Sequence, residues 1–162
     1  MSCKLISLDT STKISGIAVF INGELSSHSA IDLSKEKDMN IRFNNMSKRL
    51  WAYLESENPD IIYIEEMVVT RNANTQRFLT RLQGVVYAWC MLNNCDFNTI
   101  RPSVWRKFDP IEHKGKKRDE LKEEAVSFIK SKYNIEIVDD EAEAILIGLA
   151  VFEMYKSLTV EE

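Results

Sequence analysis

Residues 61–66 read Ile-Ile-Tyr-Ile-Glu-Glu, an apolar, β-branched run that passes straight into acid. Pro59 and Asp60 punctuate its start. A run this short, opened by a turn signal, predicts a buried strand in the middle of a sheet. A carboxylate at the end of such a strand is costly unless it meets water or a positive charge. The plain reading is an acid that reaches solvent, and the chemical one is a metal ligand. Asp9 ends a similar run, Leu5-Ile6-Ser7-Leu8, and Asp140 and Glu143 stand where a long apolar helix begins. These acids are expected to meet.

The rest of the chain predicts a single α/β domain over 1–162. Residues 4–8, 16–20 and 25–31 read as strands, with Asn22-Gly23 as a hairpin turn between the last two. Met39, Phe43, Met46, Leu50 and Leu54 recur at helical spacing, which predicts a helix over 38–57. A second helix is expected over 74–92, capped by Asn74 or Thr75, with Phe78, Leu82, Val85, Val86 and Trp89 inward. Gly84 sits in its middle, which points to close packing on the sheet. Residues 95–100 read as a strand and 101–107 as a short helix. The stretch 109–117 looks irregular. Helices follow over 118–133, closed by Asn134, and from 139 or 140 to 156. A meander followed by alternating helices and strands predicts a mixed sheet of five strands, three antiparallel and then parallel, with helices on both faces.

Charge is uneven. The chain carries a net charge of -4, yet residues 70–118 hold ten Lys/Arg against three acids. That basic segment is a candidate nucleic-acid surface, because local patches set the field a polyanion meets. Its candidate contacts are Arg71, Asn72, Arg77 and Arg81, then Arg106 and Lys107, then Lys114, Lys116 and Lys117. The alternative is a set of solvated helix faces. The three cysteines follow no zinc spacing and predict free thiols in a reducing cytoplasm. No run is apolar enough to span a membrane, and His28 and His113 show no partner pattern.

Asp140 and Glu143 are three residues apart and share a helix face. First-turn acids also serve the helix dipole, a sufficient account of Asp139–Glu141 but not of Glu143. Beside strand-borne carboxylates, such a pair makes an oxygen-rich site of the kind that selects Mg2+ or Mn2+. Two such ions are a device for phosphodiester hydrolysis.

The motifs, in order, resemble the RuvC family of Holliday junction resolvases, with their ribonuclease H-like fold. Ser7-Leu8-Asp9 leading to Gly16 resembles the family's first-strand Asp motif. Ile64-Glu65-Glu66 with Asn72-Ala73 resembles its central-strand Glu and DNA-contacting loop. Gln83-Gly84-Val85 resembles a helix Gly motif, and Asp140-Glu141-Ala142-Glu143-Ala144 the closing Asp-x-x-Asp-Ala. The resemblance implies a metal set of Asp9, Glu65, Asp140 and Glu143, holding two Mg2+ (or Mn2+) per site. It implies a basic catalytic residue at Arg118 or Lys117, branched DNA as substrate, and a homodimer built on the helix around 74–92. The short chain looks most like phage-encoded members acting in a bacterial cytoplasm. It departs from the family at Thr10-Ser11 in place of Pro-Gly, at Glu143 in place of Asp, and at Val68 in place of a common aromatic. Two other functions fit the same residues: a ribonuclease H-like nuclease on other nucleic acids, and a catalytically silent junction binder. An actin-like ATPase shares the Asp-x-x-Thr opening but needs two domains and glycine-rich phosphate loops, and this chain has five glycines.

Overall fold

The structure, a computed structural model, describes residues 2–67 and 72–159. Its centre is one five-stranded sheet in the order β3-β2-β1-β4-β5. Strands β1 (Lys4–Asp9), β2 (Ile14–Ile21) and β3 (Glu24–Asp32) form the antiparallel meander. Asn22 and Gly23 turn β2 into β3 with φ of 52° and 89°, the left-handed pair a tight hairpin requires. Strand β4 (Ile61–Glu65) lies parallel to β1, and β5 (Asp96–Ile100) parallel to β4. The expected mixed five-stranded α/β fold is the observed one.

Alternation along the strands divides the core in two. Ile6, Leu8, Ile62 and Ile64 point to one face, where α1 (Met39–Glu57) and α2 (Ala73–Asn93) cover them with Met46, Leu50, Leu82 and Trp89. Leu5, Ala18, Phe20 and Tyr63 point to the other. There α3 (Pro102–Trp105), α4 (Arg118–Tyr133) and α5 (Asp139–Thr159) pack. Asn58, Asn94 and Asn134 close α1, α2 and α4, each in the left-handed region. Among the described residues no helix is long and apolar enough to cross a membrane.

The first half of helix α5 is buried almost all round, through Ala142, Ala144, Ile145, Leu146 and Ile147. Two glycines let it lie this deep. A Cβ on Gly148 would fall 2.2 Å from Cε2 of Phe20, and one on Gly16 would fall 1.9 Å from the carbonyl oxygen of Asp140. Ser7 ties the two layers, its Oγ donating to the Ala144 carbonyl at 2.6 Å.

Three local expectations are corrected. The cap of α2 is Asn72, whose side chain accepts from the N–H groups of Asn74 and Thr75. Gly84 does not pack on the sheet: it is exposed, and a Cβ there would meet nothing within 4 Å. Val85 beside it is half-buried, while Val86 takes the inward position.

Candidate active site

Strands β1 and β4 pair Leu8 with Ile64, and each is followed by an acid. Asp9 and Glu65 therefore end adjacent parallel strands. Alternation turns both toward α5, on the same side as Ser7 and Tyr63. Glu66 turns away and accepts from Arg101 Nε at 3.0 Å. Asp9 also stands opposite Gly16 on β2, and Gly16 is the seat of the Asp140 carbonyl. The first turn of α5 thus comes down beside the strand-end acids and brings Glu143 with it. The turn after Asp9 is held by serines where the resembled family has Pro-Gly. Ser11 Oγ accepts from Lys13 and Ile14, and Ser15 Oγ donates to the Ser11 carbonyl.

The result is an open cleft of about 710 Å³ whose wall includes Asp9, Glu65, Asp140 and Glu143. Arg106, Arg118 and Lys122 are its cations. All four carboxylates are half-buried. Burial pushes the Asp9 carboxyl well above its usual range, with further upward pressure from the charges of Glu143, Glu65 and Asp140. Burial and the Asp139 charge raise Asp140 to about 6. Glu65 is raised by burial, partly offset by a hydrogen bond from Trp105 and by the charge of Arg106. Acids that oppose one another in this way favour a divalent counter-charge, and their all-oxygen chemistry suits Mg2+ or Mn2+. Among the described residues no three His, Cys, Asp or Glu side chains form a ready-made cage. The donor set fits a hard cation.

Solved structures of known proteins match this architecture across the chain. Thermus thermophilus RuvC in complex with a Holliday junction superposes with a TM-score of 0.71 at 13% identity, covering 96% of each chain. The fowlpox virus resolvase, also solved with Holliday junction DNA, gives 0.62 at 17%, covering 94% of this chain and 98% of that one. The yeast mitochondrial Holliday junction resolvase gives 0.63 at 16%, covering 97% and 80%. The chain has a RuvC-like fold. No family model and no curated protein matches the sequence, so at these identities the likeness is one of fold.

Within that RuvC-like fold the basic candidates divide. Arg118, the first residue of α4, lines the cleft, whereas its neighbour Lys117 does not and caps the helix instead. Arg106 lines the cleft and lies over the Trp105 ring at 5.2 Å. Lys107 and Lys114 are exposed away from the acids, and Lys116 is paired with Glu124 at 2.7 Å. Arg77 and Arg81 are exposed on α2, whose cleft-facing edge is Thr75, Leu79 and Gln83. Asn72 is the α2 cap, and Arg71, like Val68, lies outside the described residues.

Sequence reasoning missed Lys122 and Trp105. Lys122 lines the cleft and donates to Asp139 at 2.6 Å, tying α4 to the first turn of α5. Its spacing of four from Arg118 was the available signal. Both histidines have partners after all: His28 meets Glu141 at 3.0 Å and His113 meets Asp109 at 2.6 Å.

Proposed function

We propose that this protein is a structure-selective DNA endonuclease that cuts four-way junctions and related branched DNA with the help of Mg2+ or Mn2+. The observation that carries the reading is one cleft that gathers four carboxylates from β1, β4 and α5 beside Arg106 and Arg118. The RuvC-like fold adds to it. Asp9, Glu65, Asp140 and Glu143 would hold the ions. When bound, two such ions lower the pKa of an attacking water and steady the departing 3′-oxygen. Arg118 and Arg106 would hold the non-bridging oxygens of the scissile phosphate. The water oxygen bonds to phosphorus as the bond to the 3′-oxygen breaks, leaving a 5′-phosphate and a 3′-hydroxyl. The three free cysteines accord with action in a reducing cytoplasm, and a phage genome is the proposed source.

Incubation of a mobile four-way junction and a matched linear duplex in Mg2+, Mn2+ or EDTA tests the proposal. Metal-dependent paired nicks confined to the junction support it. Equal cutting of linear DNA points to a less selective ribonuclease H-like nuclease. Junction binding with no cut in any metal points to the silent binder.

Affinity for DNA is proposed to rest on exposed cations outside the acid cleft. Arg77→Ala should weaken junction binding at every sequence and lower the slope of log K on log salt by about one; Arg81 is left in place because it also lines the groove between α1 and α2. An unchanged slope in a salt titration would assign Arg77 to a solvated face.

Paired nicks need two sites, and hence two copies. Trp51, Gly84, Val85 and Ala88 line an apolar groove between α1 and α2, and Tyr87, Met91 and Leu92 lie exposed along the same helix. We propose this face as the dimer contact. Gly84→Lys tests it, because a Cβ there meets nothing within 4 Å and lysine improves helix propensity. Light scattering should report twice 18.7 kDa for the native protein and half that for the variant, with no loss of Tm.

A further inference from the structure

We infer that Trp105 is a positioning residue: clamped by a half-buried Asp109–His113 pair, its indole fixes Glu65 so that a single oxygen is offered to a cation. The inference rests on the proposed role of Glu65 as a ligand.

Trp105 is 2% exposed, an indole sealed beneath the cleft. A buried indole N–H requires an acceptor, and this one donates to Oε2 of Glu65 at 2.7 Å. Gln83 Nε2 holds the Glu65 backbone carbonyl at 2.8 Å, so the residue is fixed at both ends. No other described side chain bonds the carboxylate, and Oε1 is the oxygen left for the cleft.

The indole is itself held from behind. His113 meets it edge-on, with ring centroids 6.2 Å apart at 88°. His113 Nε2 pairs with Asp109 Oδ2 at 2.6 Å, and the Asp109 side chain has 0% exposure. A carboxylate buried so completely must be satisfied locally. Besides His113, the Ile111 N–H serves Oδ1 at 3.2 Å. The Asp109 N–H returns to the Trp105 carbonyl at 3.1 Å. Among the described residues His113 Nδ1 is buried without a partner, so the ring is held through Nε2. Residues 105–113 thus close on themselves around the ring. Groups that orient a ligand in this way commonly set metal affinity about 10- to 100-fold.

Trp105→Phe keeps an aromatic side chain, smaller than the indole, and deletes the donor. Mn2+ titration of the full-length chain, followed by electron paramagnetic resonance, should show a Kd raised about tenfold, together with a lower EDTA melting temperature from the space the smaller ring leaves in the core. His113→Ala leaves the donor and loosens the clamp, and should give a smaller rise. Glu65→Gln is the reference. If Glu65→Gln weakens Mn2+ binding and Trp105→Phe does not, the positioning role is overturned while the ligand role stands. The positioning role is overturned equally if Trp105→Phe lowers only the melting temperature. If Glu65→Gln binds Mn2+ as the native protein does, the ligand role fails and the inference falls with it.

Discussion

Asp9→Asn is expected to abolish cleavage, spare junction binding and stabilise the protein in EDTA. The three effects have one cause. Asp9 is the acid most opposed by its surroundings, through burial and then the charges of Glu143, Glu65 and Asp140. An ionised carboxylate there costs stability unless a cation answers it. The isosteric amide keeps the shape and removes the charge. At pH 7 without metal the variant should gain on the order of 1–2 kcal/mol, or about 3–6 °C in Tm for a chain of this size. Mg2+ or Mn2+ should raise the Tm of the native protein and leave that of Asp9→Asn nearly unmoved. Junction affinity in EDTA should stay within about twofold, because the cations proposed for DNA stand elsewhere. A variant melting below the native protein would mean that Asp9 is a structural acid, and the metal reading would lose its centre.

What could be read from the chain alone was what its local pattern encodes. The apolar run 61–64, the Asn22-Gly23 turn and the helical stripe over 39–54 each specify their element without help from distant residues. Alternation then decides that Asp9 and Glu65 share a face, so half of the acid cluster followed from two strands and a register. The rest lies in contacts that spacing does not carry. Nothing near Trp105 announces that its N–H reaches Glu65, forty residues earlier. Asp109 and His113 are four apart, but a loop so rich in lysine gives no sign that the Asp109 side chain is buried against His113. Gly84 failed for a different reason. It has no side chain to declare a direction, and Val85 and Val86 are equally apolar, so the helix phase there was open by one position. In the segment Asn72-Ala73-Asn74-Thr75, three residues are able to cap, and only the backbone path selects Asn72. The basic segment was visible as charge, yet its sum concealed that Lys116 is already paired with Glu124.

Gly16→Ala is expected to damage the site more than any other single-methyl change in the chain. Its Cβ would fall 1.9 Å from the carbonyl oxygen of Asp140 and 2.4 Å from the carbonyl carbon, both backbone atoms of α5. Neither can swing aside as a side-chain tip does, so the first turn of the helix must rise. Lys122 and His28 hold Asp139 and Glu141 from either side, and they would resist or follow that motion. Overpacking of this kind costs about 1–3 kcal/mol, and a displacement near 1 Å at a reacting centre costs about 100-fold in rate. Gly148→Ala is the matched control. It adds a Cβ to the same helix, pointing into β2 and 2.2 Å from a carbon of the Phe20 ring, about two turns beyond Asp140. Both variants should melt lower. Only Gly16→Ala should also lose Mn2+ affinity and cleavage out of proportion to its Tm. If the two variants fall together in every assay, the seat under Asp140 is a matter of packing, and the placement of Asp140 and Glu143 does not depend on it.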